Sequence, residues 1–310
     1  MDYIVFIIAM AVLIKGADFV IEESERVALH YNISHFVIGA TLVALGTSLP
    51  EMAASMMASG AGKGDIAVSN IIGSNIINIS LVLGLVFLIS KNIMPSRDIF
   101  AKDSAWGLFP VMTFILMSFD GVISRFEGLM FIMMMGAYLL FLINNNDDIM
   151  SEIDEDIAKD TFDWKRTGIY LGAGFVMVIV GANFTIDSAT AIAKSFGVSE
   201  WIIGLLLIAF GTSLPELMVS LSAAKKGNSD MIIGNIIGSN VANFTVALGA
   251  AALVNPITID LSKNAFDIVA VLVISVMLVF LSANKLYNKS AGLVLLIMMA
   301  LVIEHSVTHI

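Results

Sequence analysis

The chain has 310 residues, of which 58% are hydrophobic and 14% charged, and its mean hydropathy is +0.93. A soluble domain of this length cannot hide so much apolar side chain in its core, so the composition excludes one and reads as an integral membrane protein in contact with a lipid bilayer. The net charge of −10 is gathered mostly in one connector, and the absence of cysteine excludes disulfides and thiolate metal sites.

Ten apolar runs follow one another, near residues 3–21, 36–59, 66–90, 104–119, 128–143, 168–193, 201–223, 231–254, 265–283 and 291–303. Each is about long enough to cross a hydrocarbon core. They are continuously apolar rather than short and alternating, which predicts helices and not barrel strands. The expected fold class is therefore an all-α integral membrane protein with ten transmembrane helices.

The first run is followed by Glu22, Glu23 and Glu25 and has no basic start, which predicts a retained helix rather than a signal peptide. Near its end Lys15 and Asp18 stand one turn apart and read as an interfacial pair, without charged counterparts at Val180 and Asn183. The second run carries the hexapeptide GTSLPE, Gly46 to Glu51, and the third carries GSNIIN, ending at Asn78. Between the fifth and sixth runs lies an acidic connector with Asp147, Asp148, Glu152, Asp154, Glu155, Asp156, Asp160 and Asp163, read as a solvated linker. It lacks the Asp-x-Asp-x-Asp-Gly order of a calcium-sensing loop. The seventh and eighth runs repeat the earlier motifs as GTSLPE, Gly211 to Glu216, and GSNVAN, ending at Asn243.

Every repeated position is offset by 165 residues, and nearly half of residues 35–84 recur identically in 200–249. The organisation expected is a first five-helix repeat over 1–143, an acidic cytoplasmic linker over 144–166 and a second repeat over 167–310. An odd number of crossings in each half forces the halves into opposite orientations, an inverted repeat of the kind many secondary transporters use. Lys and Arg support this arrangement: eleven lie in connectors after odd-numbered runs, against Lys63, Arg125, Lys194 and Lys263 on the other face. By the positive-inside rule the richer face is cytoplasmic, and both termini are outside.

Pro50 and Pro215 lack the N–H that a helix needs at their positions, so each motif should break its helix and release carbonyls around Ala44 to Thr47 and Ala209 to Thr212. Glu51 and Glu216 follow the prolines near mid-run, where a lone carboxylate costs about 2.5–3.5 kcal/mol or more. No Lys, Arg or His lies in the matching core positions, so cations or protons are the natural counter-charges. The hydroxyls of Thr47, Ser48, Ser74, Thr212, Ser213 and Ser239, the amides of Asn78 and Asn243 and the carbonyls form an all-oxygen set suited to hard cations such as Ca²⁺ and Na⁺. Taken singly, the serines and asparagines read equally well as polar contacts between helices, and Gly39, Gly73, Gly204 and Gly238 as close-packing positions. The recurring glutamates do not.

The duplicated GTSLPE followed by GSN-x-x-N resembles the alpha repeats of the calcium/cation antiporter superfamily, and prokaryotic sodium/calcium exchangers in particular. That resemblance implies ten helices in two inverted repeats, with four ion sites between the second, third, seventh and eighth helices. It further implies that Glu51 and Glu216 bridge the calcium and sodium sites, with the backbone oxygens of Thr47 and Thr212 completing the calcium site. Ser48, Ser74, Ser213 and Ser239, with the carbonyls of Ala44 and Ala209, would line the sodium sites, and Asn78 and Asn243 would occupy the centre. Potassium-dependent relatives carry Asp where this chain has Asn243, which argues against potassium co-transport.

The expected activity is export of Ca²⁺ against inward Na⁺ by alternating access in a prokaryotic plasma membrane. No enzymatic activity, resident cofactor, nucleic acid or obligatory protein partner is expected. A proton/calcium antiporter is the nearest rival and an ion channel a more distant one.

Overall fold

The computed structural model describes residues 2–90, 93–146, 162–196 and 211–308. Eleven helices are used below: α1 (Asp2–Tyr31), α2 (His35–Thr47), α3 (Leu49–Gly60), α4 (Gly64–Ile89), α5 (Ile99–Asp120), α6 (Arg125–Asn144), α7 (Trp164–Ser195), α8 (Leu214–Lys225), α9 (Ser229–Val254), α10 (Leu261–Ala283) and α11 (Lys289–Thr308). Among the described residues eight helices are long and apolar enough to cross a membrane, or nine when α2 and α3 count as one span bent by 47°. They account for nine of the ten expected crossings. The seventh run begins with residues 201–210, outside the described residues, and only α8 is seen of it. The acidic segment 147–161 also lies outside them.

Exposure follows the bilayer rather than water. Ile4, Ile7, Met112, Leu116, Met133, Leu140 and Ile143 are exposed on the outer helices. By contrast α4 and α9 are the most enclosed spans. Large apolar side chains facing outward are stable only where lipid replaces water.

Small residues set how closely the helices approach. A Cβ on Gly128 would lie 2.8 Å from the Gly249 carbonyl oxygen, and one on Gly249 would lie 2.7 Å from that of Gly128, so α6 and α9 cross backbone to backbone. The crossing of α4 with α11 has the same form: a Cβ on Gly292 would lie 2.7 Å from the Gly84 carbonyl oxygen. Gly84 and Gly249 are themselves 165 residues apart, so the spacing of the sequence repeat reappears in the packing. Helix α1 packs along α7 through Gly16, whose Cβ would stand 2.9 Å from the Gly174 carbonyl oxygen.

The all-α expectation holds for the spans, with two-residue strands added at one end. Val122–Ile123 (β1) pairs antiparallel with Ile257–Thr258 (β2), tying the α5–α6 connector to the α9–α10 connector. At the other end Arg97 grips Asp103 through Nε at 2.6 Å and Nη2 at 3.1 Å, donates Nη1 to the Asn145 carbonyl at 2.6 Å and lies over the Phe36 ring. Backbone N–H groups of Ser96 and Arg97 donate to Asp230 at the start of α9. One expectation fails. Lys15 and Asp18 form no ion pair: Lys15 lies over the Phe19 ring, and Asp18 accepts from Ser222 at 2.6 Å.

Candidate functional site

The break at the first GTSLPE falls where Pro50 requires it. Ser48 leaves helical geometry between α2 and α3, with φ −84° and ψ 5°, and Ser213 does the same before α8, with φ −91° and ψ 4°. The released carbonyls begin later than expected, however. Ala44 still accepts the Ser48 N–H at 3.0 Å and also the Thr47 hydroxyl at 3.2 Å, so its carbonyl is not freed. The ladder resumes with the Met52 N–H on the Ser48 carbonyl at 3.1 Å, which leaves the break between those two bonds. Gly46 is the carbonyl that Pro50 cannot serve.

A second irregularity lies in the GSN motifs. Asn78 opens a π-helical stretch over Asn78–Leu83, and Asn243 opens another over Asn243–Ala247, at the same 165-residue spacing. A third π stretch, Gly39–Val43, precedes the break in α2. Such turns widen the helix and misalign its ladder, and they concentrate at functional sites.

The π stretches at Asn243 and Asn78 touch α3 and α8, the helices that carry the two acids. Glu51 is 1% exposed and Glu216 is 0% exposed, and among the described residues neither forms an ion pair. The Ser48 hydroxyl donates to Glu216 Oε1 at 3.0 Å, with Thr47 also beside that carboxylate, and Thr212 stands beside Glu51. Each acid is thus met by hydroxyls from the other half of the sequence. The second oxygens of both, Glu51 Oε2 and Glu216 Oε2, are buried without a hydrogen-bond partner.

Of the other expected residues, Ser213 Oγ, Ser239 Oγ, Asn78 Oδ1 and both side-chain polar atoms of Asn243 are likewise buried and unpartnered. Asn78 Nδ2 donates to Asn240 Oδ1 at 3.1 Å. Ser74 is buried beside them in sequence, but its side chain makes no hydrogen bond among the described residues. Ala209 lies outside the described residues. Each buried orphan costs on the order of 1–3 kcal/mol unless something pairs with it. Unpartnered hydroxyl, amide and carboxylate oxygens are the kind of donor that a hard cation takes. Among the described residues no group of three or more acidic, histidine or cysteine side chains could hold a metal, so such a cation must draw on hydroxyl, amide and carbonyl oxygens as well.

The sequence reading missed the supporting role of two asparagines. Asn70 Nδ2 donates to Ser55 Oγ at 3.0 Å and to the Glu51 carbonyl at 3.3 Å, and Asn235 Nδ2 donates to Ser220 Oγ at 3.1 Å. These asparagines fasten α4 to α3 and α9 to α8, which fixes where each glutamate sits. Their recurrence inside otherwise apolar runs was the available signal. Asn235 also faces Thr47 across the halves at 3.5 Å. Close packing of α2 on α9 makes this reach possible. A Cβ on Gly39 would lie 2.7 Å from the Met231 carbonyl oxygen, and one on Gly238 would press into the Ala40 backbone. Gly39 and Gly238 are therefore the packing positions expected of them. Gly73 meets nothing among the described residues, and Gly204 lies outside them.

The family model described as "Sodium/calcium exchanger protein" matches residues 1–144 and 167–307. The chain belongs to the sodium/calcium exchanger family. It is thus a multi-pass membrane protein of a transporter family rather than an enzyme family. Within that family it is 38% identical to the uncharacterized membrane protein MJ0091 of Methanocaldococcus jannaschii, over 92% of this chain and 90% of that one. It is 28% identical to the sodium/calcium exchanger MaX1 of Methanosarcina acetivorans, over 95% of each. The putative antiporter CaxA of Alkalimonas amylolytica is 32% identical over 94% of this chain and 93% of its own. Among solved structures, the sodium-calcium exchanger NCX_Mj soaked with zero Na⁺ and Ca²⁺ superposes with a TM-score of 0.83 at 33% identity, covering 98% of both chains.

Proposed function

We propose that this protein is a secondary antiporter that moves Ca²⁺ outward in exchange for Na⁺ moving inward, by alternating access to one site built on Glu51 and Glu216. The observation that carries this reading is the pair of fully buried carboxylates, unmatched by any basic side chain among the described residues and met by hydroxyls from the opposite half. Two negative charges balance one divalent ion or two monovalent ions. Ca²⁺ and Na⁺ therefore compete for the same oxygens, and loading one displaces the other.

In this reading Thr47, Ser48, Ser74, Thr212, Ser213, Ser239, Asn78, Asn243 and the carbonyl of Ala209 supply the remaining oxygens, and the Ala44 carbonyl joins them only by releasing the Thr47 hydroxyl it accepts. The breaks at Ser48 and Ser213 and the π stretches at Asn78 and Asn243 recur at one spacing, which supports two five-helix repeats of opposite orientation. The Lys and Arg bias places the connectors after odd-numbered runs, the acidic linker included, in the cytoplasm. It places both termini outside the plasma membrane. The membrane-protein relatives named above support the multi-pass membrane location alone.

The deciding experiment is radiolabelled Ca²⁺ uptake into proteoliposomes loaded with Na⁺. Uptake driven by the outward Na⁺ gradient is expected, and uptake indifferent to it sinks the reading. A proton gradient driving Ca²⁺ uptake without Na⁺ favours the cation/proton alternative, because carboxylates exchange protons as readily as Na⁺.

A further inference from the structure

A cavity of about 500 Å³ opens between α1, the end of α4 and the length of α8, lined by Asp18, Ser90, Met218, Ser222 and Lys225 among others. It lies on the face bearing the connectors after odd-numbered runs, where Lys225 and Gly227 are exposed at its mouth. Its inner wall reaches Met218, two residues beyond Glu216, or about 3 Å along the helix at 1.5 Å per residue. Ser222 stands roughly 9 Å from Glu216 by the same measure.

Three features make this cavity attractive to cations. Helices α4 and α8 both end against it, at Ile89 and Lys225, so the negative ends of two helix dipoles meet at one space. Asp18 adds a full negative charge, held by the Ser222 hydroxyl at 2.6 Å on one oxygen and by no ion pair. Ser90 lines the same wall, and its hydroxyl is buried without a partner. Lys225 is exposed and forms no ion pair with Asp18, while Lys226 is engaged by Glu22 at 3.2 Å. The equivalent place in the other half has Asn183 and Met57 instead of Asp18 and Ser222. Neither of these side chains is an anion.

We infer that Asp18 and Ser222 form a staging subsite for a hydrated hard cation, Ca²⁺ during export, on the cytoplasmic approach to Glu216 and not on the opposite approach. The inference rests on the exchange proposed above. A negatively lined cleft raises the local cation concentration and the rate of capture, which matters most where the free ion is scarce. Asymmetry between the two approaches gives the two faces different apparent affinities for one shared site.

The chain has no cysteine, so a single introduced thiol reports on the cavity. Leu221→Cys, labelled by a membrane-impermeant maleimide from the cytoplasmic face, should be protected by Ca²⁺. Protection should persist when Glu216→Gln is added and disappear when Asp18→Asn is added. Persistence beside Glu216→Gln separates this subsite from the transport site, so it is read even if Na⁺/Ca²⁺ exchange itself fails. Labelling that ignores Ca²⁺, or protection that survives Asp18→Asn, overturns the inference. In transport, Asp18→Asn should raise several-fold the Ca²⁺ concentration for half-maximal uptake from the cytoplasmic face, in everted vesicles. An equal shift in right-side-out vesicles would show a general structural effect and overturn it too.

Discussion

The Ser48 hydroxyl donates to the Glu216 carboxylate at 3.0 Å across 168 residues of sequence, so the broken helix of one half holds the acid of the other. The two halves of the site are thus assembled from each other. Removing the donor leaves a buried carboxylate short of a hydrogen bond, at a cost of about 1–3 kcal/mol. Ser48→Ala is expected to weaken apparent ion affinity in exchange by on the order of ten-fold, whereas Ser48→Thr keeps a hydroxyl and most of the affinity. Ion-dependent uptake in proteoliposomes reads the difference. Wild-type affinity in Ser48→Ala would remove this contact from the mechanism.

Glu51→Gln and Glu216→Gln each halve the fixed negative charge of the proposed site. Both are expected to abolish Na⁺-driven Ca²⁺ uptake while leaving the protein folded, since a buried neutral amide is easier to accommodate than an unpaired carboxylate. Uptake and thermal stability in detergent are measured together. A variant that unfolds says the acid is structural, and one that transports normally says it is idle.

Asn235 is 1% exposed and fixes α9 to α8 through Ser220. Asn235→Leu leaves Ser220, itself fully buried, without that donor and loosens the seat of Glu216. The expected result is a fall in Ca²⁺ affinity by calorimetry, together with a lower melting temperature. Asn70→Leu should do the same to Glu51 through Ser55. A melting shift with unchanged Ca²⁺ affinity would limit these asparagines to packing.

Gly238 lies so close to Ala40 that any side chain must push α2 away from α9. Overpacking of this kind costs typically about 1–3 kcal/mol, and here the obstacle is backbone that cannot rotate aside. Gly238→Val is expected to lower the melting temperature and to separate Ser48 from Glu216. Gly107→Ala, which meets nothing within 4 Å among the described residues, is the control.

Arg97→Ala removes the guanidinium from Asp103, which is 0% exposed. Breaking one side of a buried pair costs about 3–5 kcal/mol, so a pronounced loss of thermal stability is expected. Replacing both residues, as in Arg97→Met with Asp103→Leu, should recover much of it. Double-mutant thermal melts provide the measurement, and additive losses would show that the pair is not a unit.

The sequence by itself determined the membrane character, the spans, the duplication and the two acids. Apolar runs, fixed offsets and prolines are local properties of a chain, and a carboxylate in an apolar run needs no fold to look out of place. Even the helix breaks were legible, because Pro50 and Pro215 lack a donor in any context. Only the tertiary structure decided that Ser48 serves Glu216, that Asn70 and Asn235 anchor the acids, and that Ala44 keeps its helical hydrogen bond. It also turned the supposed Lys15–Asp18 pair into a contact between Asp18 and Ser222. The reason is physical: periodicity says which face of a helix is buried but not which neighbour it meets. That partner is chosen by how closely two backbones can approach, as at Gly39 and Gly238, a property of two segments far apart in the chain.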